Sequence, residues 1–348
     1  MSFAAGSGWQ KAPGQKSMET RLCRMVLAAA ALLALPPAGH AATCTTQAEL
    51  STQDRNALTA VGGRLGAAVL QQDYTALQGA LLPAEAAEWE GIREAVEQAA
   101  PVVKGGQIEL RNVYLLDASG QAAAANTEFF CSNSSGSLLV TITMKDLPPG
   151  RYALVLADAA GATLGGQMGL ILAWDPTGAA AVWRLAGLSV RQGIFDGHDG
   201  VWYWTRAREL TQAGDPWSAW YCYEAARLLL VPVDFLSSPN LEKLGQEQGQ
   251  IKDSPQNAFP YTLNDGPRTW KIDAVHLDAT LHQADLGVTY ESAGVTEPAA
   301  MHTEATAVMS ALLKAQPGLR ASFHGLWAYA MKDGKRTPVI ELGMGQIP

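Results

Sequence analysis

Residues 137–174, SLLVTITMKDLPPGRYALVLADAAGATLGGQMGLILAW, hold three short apolar runs, with a Pro148-Pro149-Gly150 turn between the first two. SLLVTITM, RYALVLAD and MGLILAW have strand length, carry β-branched and aliphatic residues, and are bounded by glycine or proline, so each reads as a strand. The series extends outward: IELRNVYLL and EFFCSN precede it and AVWRLAGLSV follows it. Ala118-Ser119-Gly120, Ser134-Ser135-Gly136 and Asp175-Pro176-Thr177-Gly178 supply the turns. Six strands joined this tightly predict an antiparallel sheet.

Ahead of the strands the period changes. Leu58, Val61, Leu65, Val69, Leu70, Leu77 and Leu81 recur at three- and four-residue steps. That spacing predicts a helix pair broken near Gln72-Asp73-Tyr74. A further helix runs from about Ala84 to Ala99, with Pro101 and Gly105-Gly106 expected to stop it. Helices followed by strands predict an α+β class, with the sheet curving over the helices. This order resembles NTF2-like folds over residues 45–192, although the strand content exceeds that family's. The resemblance implies helices packed inside a bent sheet.

GHDGVWYWTRARELTQAGDPWSAWYCYEAARLLLVP, residues 197–232, is the aromatic-rich segment. Tyr203, Ala207, Leu210, Gly214, Ala219, Tyr223 and Ala226 fall in a large, small, large, turn, small, aromatic, small order. The alanines allow close helix approach, the larger residues fill the groove, and Gly214-Asp215-Pro216 makes the turn. The segment resembles a single tetratricopeptide repeat, residues 199–232, departing from it at Arg206 and at the late Pro232. One repeat cannot bury its own apolar face, so the hairpin is expected to pack on the preceding sheet. Trp202, Tyr203, Tyr223 and Trp220 are then core residues, whereas Trp204 and Trp217 lie off the pattern and are candidates for a partner-binding surface. Leu241 to Gln250 could add a third helix.

Beyond a polar linker, Gly245 to Asn257, TWKIDAVHLDATL and LGVTYES read as strands and Glu297 to Ala315 as a helix opened by Pro298. The closing segment is a hairpin with a tight Asp333-Gly334 turn. The chain thus divides into a leader (1–41), a helix-plus-sheet domain (42–192), a helical hairpin (193–250) and a small α+β domain (251–348).

The leader carries METRLCRMVLAAAALLALPPAGHAA from Met18: a basic start, an apolar run of signal length and a small-residue exit, read as a cleavable signal peptide over 18–41. The run is too short to span a bilayer, and no later run reaches the roughly 18–20 apolar residues a spanning helix needs. Thr43 before Cys44 fits a lipobox poorly. Removing residues 1–41 takes away four positive charges and one negative, moving the formal net charge from −8 to −11. An acidic chain without Lys/Arg clusters argues against nucleic-acid or anionic-lipid partners. Of the cysteines that remain, Cys44 and Cys131 are the candidate disulfide in an exported chain, and Cys222, on a helical pattern, is a buried thiol. No C-x-x-C pair points to a thiolate metal site.

Three constellations could carry chemistry. FDGHDG gathers Asp196, His198 and Asp199 on a glycine-flanked turn, either an acid/base or metal site or, for Asp199, a helix cap. His276, Asp278, Thr280 and His282 fall on one strand face by alternation, so His276, Asp278 and His282 are the candidate metal ligands. His324, beside Gly325 and Trp327, is a histidine in an aromatic setting. Tyr114 and Asp117 are further sheet candidates. No nucleophile elbow, zincin helix or phosphate loop is present, and no cofactor is implied. The leading expectation is an exported, non-catalytic binding or scaffold protein of a bacterial envelope, periplasmic or secreted, with a protein or envelope ligand as partner. A secreted enzyme using the Asp196–Asp199 turn and a metal-binding module are the alternatives, so the question of catalysis stays open.

Overall fold

The computed structural model describes residues 42–177 and 181–348. The leader and its signal reading lie outside them. The class is α+β. The first part runs β1 (Thr43–Thr46), α1 (Thr52–Gln71), α2 (Tyr74–Ala80), a 3-10 turn (Pro83–Glu88), α3 (Trp89–Val103), then β2 (Gln107–Asp117), β3 (Ala125–Ser132), β4 (Leu138–Leu147), β5 (Arg151–Ala160), β6 (Gln167–Asp175) and β7 (Val182–Arg191). The break between α1 and α2 falls at Gln72-Asp73 as read. Gln72 closes α1 in the left-handed region at φ 54°, and the Asp73 side chain caps α2. Pro101 does not end α3. The helix continues to Val103, because a proline near a helix C-terminus forfeits one backbone bond while Val102 and Val103 become buried.

The six expected strands do not form one sheet. Four of them join β1 in an antiparallel sheet of order β1-β2-β5-β6-β7, while β3 and β4 form a second sheet with β10 (Leu236–Ser237). The cause is visible in β5, whose run lacks a polar alternate. Ala153, Val155 and Ala157 pack with Leu58, Leu65 and Val96 of the helices, while Leu154 and Leu156 pack with Phe129, Cys131 and Ile142 of the second sheet. Val113 and Leu115 of β2 likewise face the helices, and Tyr114 and Leu116 the second sheet. A strand apolar on both faces must be covered on both. The result is three layers: helices, large sheet, small sheet. Cys44 on β1 and Cys131 on β3 form a disulfide linking the two sheets, with their Cα atoms 5.1 Å apart.

A two-residue hairpin, β8 (Ile194–Phe195) and β9 (His198–Asp199), leads into α4 (Gly200–Ala213), α5 (Pro216–Leu230) and, after β10, α6 (Pro239–Gly249). Gly214 ends α4 in the left-handed region, and Asp215 then caps α5, whose first residue is Pro216. Part of the expected linker is therefore helix, and Leu244, Gln248 and Ile251 are buried. Tyr203, Ala207, Leu210, Ala219, Tyr223 and Ala226 are all buried.

The last part is β11 (Tyr261–Asp265), β12 (Arg268–Asp278), β13 (Asp285–Glu291), α7 (Pro298–Ala315), α8 (Gly318–Ser322), β14 (Gly325–Lys332) and β15 (Lys335–Gly343). The strands lie in that order in one sheet, antiparallel except for the parallel β13–β14 pair that α7 connects. Asp333 and Gly334, at φ 50° and 75°, make the tight turn between β14 and β15. The helical hairpin shares its core with this sheet, not with the preceding one. Trp217, Tyr221 and Ala225 of α5 belong to one apolar cluster with Val275, Leu286, Val308 and Phe323, and the Tyr221 hydroxyl donates to the Val275 carbonyl at 3.1 Å. With the preceding large sheet the hairpin makes polar contacts at its end, where Gln167, Ser189 and Arg191 donate to the carbonyls of Leu229, Pro232 and Val231.

Candidate functional site

The Asp196–Asp199 turn is built for folding. Asp196 and Gly197 hold positive φ, 49° and 80°, at the centre of the β8–β9 hairpin, where such angles suit Asp-Gly. The Asp199 carboxylate accepts from the Trp202 amide at 2.8 Å and caps α4. Asp196 accepts from the Ala284 amide at 3.1 Å, tying the turn to the C-terminal sheet. The His198 ring stacks on Trp202 at 3.7 Å, nearly parallel at 8°. Three side chains with three separate partners do not converge on a reacting atom. Asp199→Ala should lower stability by about 1 kcal/mol in urea unfolding, and Asp199→Asn, which keeps the cap, by much less.

The tryptophans sort differently from their expected places. Trp202 is 40% exposed on the outer face of α4, with His198 stacked on it and Tyr203 edge-on at 4.9 Å. Trp217 is 5% exposed, packed against Tyr221, Phe259 and Tyr261, so it offers no surface to a partner. Trp204 is half-buried: its indole donates to Glu247 Oε2 at 2.7 Å, and the Arg208 guanidinium lies over its ring at 4.4 Å. Glu247 also accepts from Arg208 and from the Tyr223 hydroxyl, and these hydrogen bonds, Arg208's foremost, hold its carboxyl below the usual range. One carboxylate from α6 thus clasps α4 and α5. Tyr114 is buried between the two sheets, Asp117 is engaged by Ser119, and Cys222 is a buried free thiol whose pKa burial pushes up to about 12.

The proposed His276, Asp278 and His282 ligand set is dispersed. His276 and Asp278 share the sheet face opposite the core, but β12 ends at Asp278, and His282 sits in the following turn at φ 61°, paired with Gln192 at 2.9 Å. Alternation cannot be extended past the strand's end. Arg336 donates to His276 Nε2 at 3.0 Å, and burial, then Arg336, holds this imidazole below its ordinary pKa. Asp278 accepts from the Tyr329 hydroxyl at 2.6 Å. Burial and then Asp278 push that hydroxyl up to about 12.

The same sheet face does bring another set together. Asp285 opens β13, His324 directly precedes β14 and Glu341 lies on β15 opposite Trp327. One ligand-type atom from each lies within 4.8 Å of the others. His324 Nδ1 and Asp285 Oδ1 are 2.9 Å apart. Asp285 is fully buried, and its carboxyl is raised by burial, with His324 opposing that shift. Glu341 is raised by burial and then by the Asp285 charge. The sequence marks His324 alone; its partners stand 39 residues before it and 17 after it, and no local spacing signals them.

A second feature is a groove of about 400 Å3 along α5. Trp220, Glu224, Arg227 and Leu228 line one side, at i, i+4, i+7 and i+8 of the helix, one continuous stripe. Arg191 and Asp234, paired at 2.6 Å, form the opposite wall, and the Val275–Leu277 segment of β12 forms the floor. Leu228 is 39% exposed at the rim. Among the described residues no helix is long and apolar enough to cross a membrane. Comparison with protein-family models, with curated proteins and with solved structures finds no match to this chain.

Proposed function

We propose that this chain is an exported, non-catalytic binding protein of a bacterial cell envelope, and that its tetratricopeptide-like hairpin presents the α5 groove to a protein partner. The observation that carries the reading is the groove itself: one helical stripe sets an indole and an exposed leucine beside charged groups of both signs. Such a surface suits a polypeptide that inserts an apolar side chain and matches charges around it. The export part draws support from the Cys44–Cys131 disulfide, because cystines persist in oxidising compartments, and from the signal-like leader. Periplasmic and secreted locations fit equally.

A melting screen against peptide pools, cell-wall fragments, sugars and lipids tests it. A ligand that binds only the native state raises the melting temperature by mass action, by an amount equivalent to about 2.7 kcal/mol at a hundredfold excess over Kd. The expected result is a shift with peptides that disappears in Trp220→Ala and in Leu228→Asp. Peptide shifts that survive both substitutions, or shifts confined to sugars or lipids, would sink the reading.

A further inference from the structure

We infer that Asp285, His324 and Glu341 form a binding site for one divalent first-row transition ion, independent of the α5 groove. Three observations converge on it. The first is the donor set itself, an imidazole and two carboxylates gathered within 4.8 Å from three strands' ends and edges. Asp285 Oδ1 and His324 Nδ1 are hydrogen-bonded at 2.9 Å, and an ion bound at about 2.1 Å would replace that bond by spreading the two atoms to the roughly 3.4 Å of a tetrahedral site.

The second is an unsatisfied carboxylate oxygen. Asp285 has no exposed surface, and its Oδ2 accepts no hydrogen bond among the described residues. The Trp327 indole N–H, the donor nearest in effect, lowers the Asp285 carboxyl but lies outside hydrogen-bond geometry, so it compensates this carboxylate only in part. Buried polar atoms are almost always paired, and a cation beside the carboxylate supplies what the protein withholds.

The third is the cradle. A Cβ at Gly325 would lie 2.9 Å from both Asp285 Oδ1 and Glu341 Oε1 and 2.8 Å from the Leu342 carbonyl. The two carboxylates approach each other over the one position of β14 that carries no side chain. Asp196 adds negative potential nearby, and Arg336 on this sheet face is engaged with His276 and Tyr329. Two carboxylates with one imidazole favour zinc, manganese or iron over calcium or magnesium, which prefer all-oxygen cages. Three protein ligands leave coordination positions for water or a partner's group.

The test is calorimetric titration of chelator-stripped protein with Zn2+, alongside Co2+ absorption spectra. One ion per chain is expected, with micromolar or tighter affinity and cobalt d–d bands. Glu341→Gln and His324→Gln alter partly exposed side chains and should each weaken binding at least tenfold while circular dichroism stays unchanged. Gly325→Ala should do the same by filling the cradle. His276→Ala should leave binding intact. Absence of stoichiometric binding, or binding that survives both Gln variants or is lost with His276→Ala, overturns the site. His276 lies in the floor of the α5 groove, whereas Glu341, His324 and Gly325 do not line it, so the outcomes at those three leave the groove untouched.

Discussion

Replacing Cys44 and Cys131 together by serine should lower the melting temperature by about 7 °C. The bridge closes a loop with a sequence separation of 87 residues. In the chain-entropy treatment a loop of that order restrains the unfolded state by roughly 4–5 kcal/mol, less any strain in the folded state. At about 2.1 cal/mol/K of unfolding entropy per residue, a unit spanning Ala41–Pro348 shifts by about 1.5 °C per kcal/mol, or about 7 °C in all. The position adds to the effect. Cys44 belongs to an edge strand of the large sheet and Cys131 to the small sheet, and Cys131 is buried among Phe129, Val140 and Ile142. Without the link, β1 and the β3–β4 pair can part from each other before the main core melts. Differential scanning calorimetry of the wild type, the reduced wild type and the double serine variant checks this. The last two should melt alike, and well below the oxidised protein; equal melting of all three would show that the bridge constrains nothing.

Tyr221→Ala should cost about 3–5 kcal/mol, the range for emptying a buried aromatic site. The side chain is 1% exposed and lies edge-on to Trp217 and Phe323 at 6.5 Å and 6.3 Å. Its hydroxyl donates to the carbonyl of Val275 on β12, so the substitution opens a cavity and also strips a strand carbonyl of this partner. Tyr221→Phe separates the two effects: it keeps the ring and should cost about 1 kcal/mol, the net worth of one hydrogen bond. Urea unfolding followed by tryptophan fluorescence reads both. If Tyr221→Ala proves as mild as Tyr221→Phe, the helical hairpin is not held to the C-terminal sheet through this residue.

Where backbone conformation is imposed locally, the residues declare it. Gln72-Asp73, Gly214-Asp215-Pro216 and Asp333-Gly334 end or turn elements as their preferences demand, and Asp199 caps α4 through a bond three residues long. The strands of residues 108–191 and the helical period before them were equally legible, because alternation and the 3.6-residue repeat are properties of single elements. The candidate site was not legible in this way. His276 and Asp278 share a face as alternation requires, yet Arg336 and Tyr329 occupy them from other strands.

By itself, then, the sequence determined the α+β class, the positions of most elements, the turns and the cysteines available for pairing, since each of these depends on residues within a few positions or on composition. Only the tertiary structure decided that the six strands divide into two sheets, that the helical hairpin packs on the C-terminal sheet and that Trp217 is core. It alone joined Asp285, His324 and Glu341. The physical reason is common to all four. Which face of an element meets which other face is set by competition among apolar surfaces across the whole chain, and a parallel β13–α7–β14 crossover brings Asp285 beside Gly325 from 40 residues away. Local pattern marks a face as apolar or polar, and global packing chooses its partner.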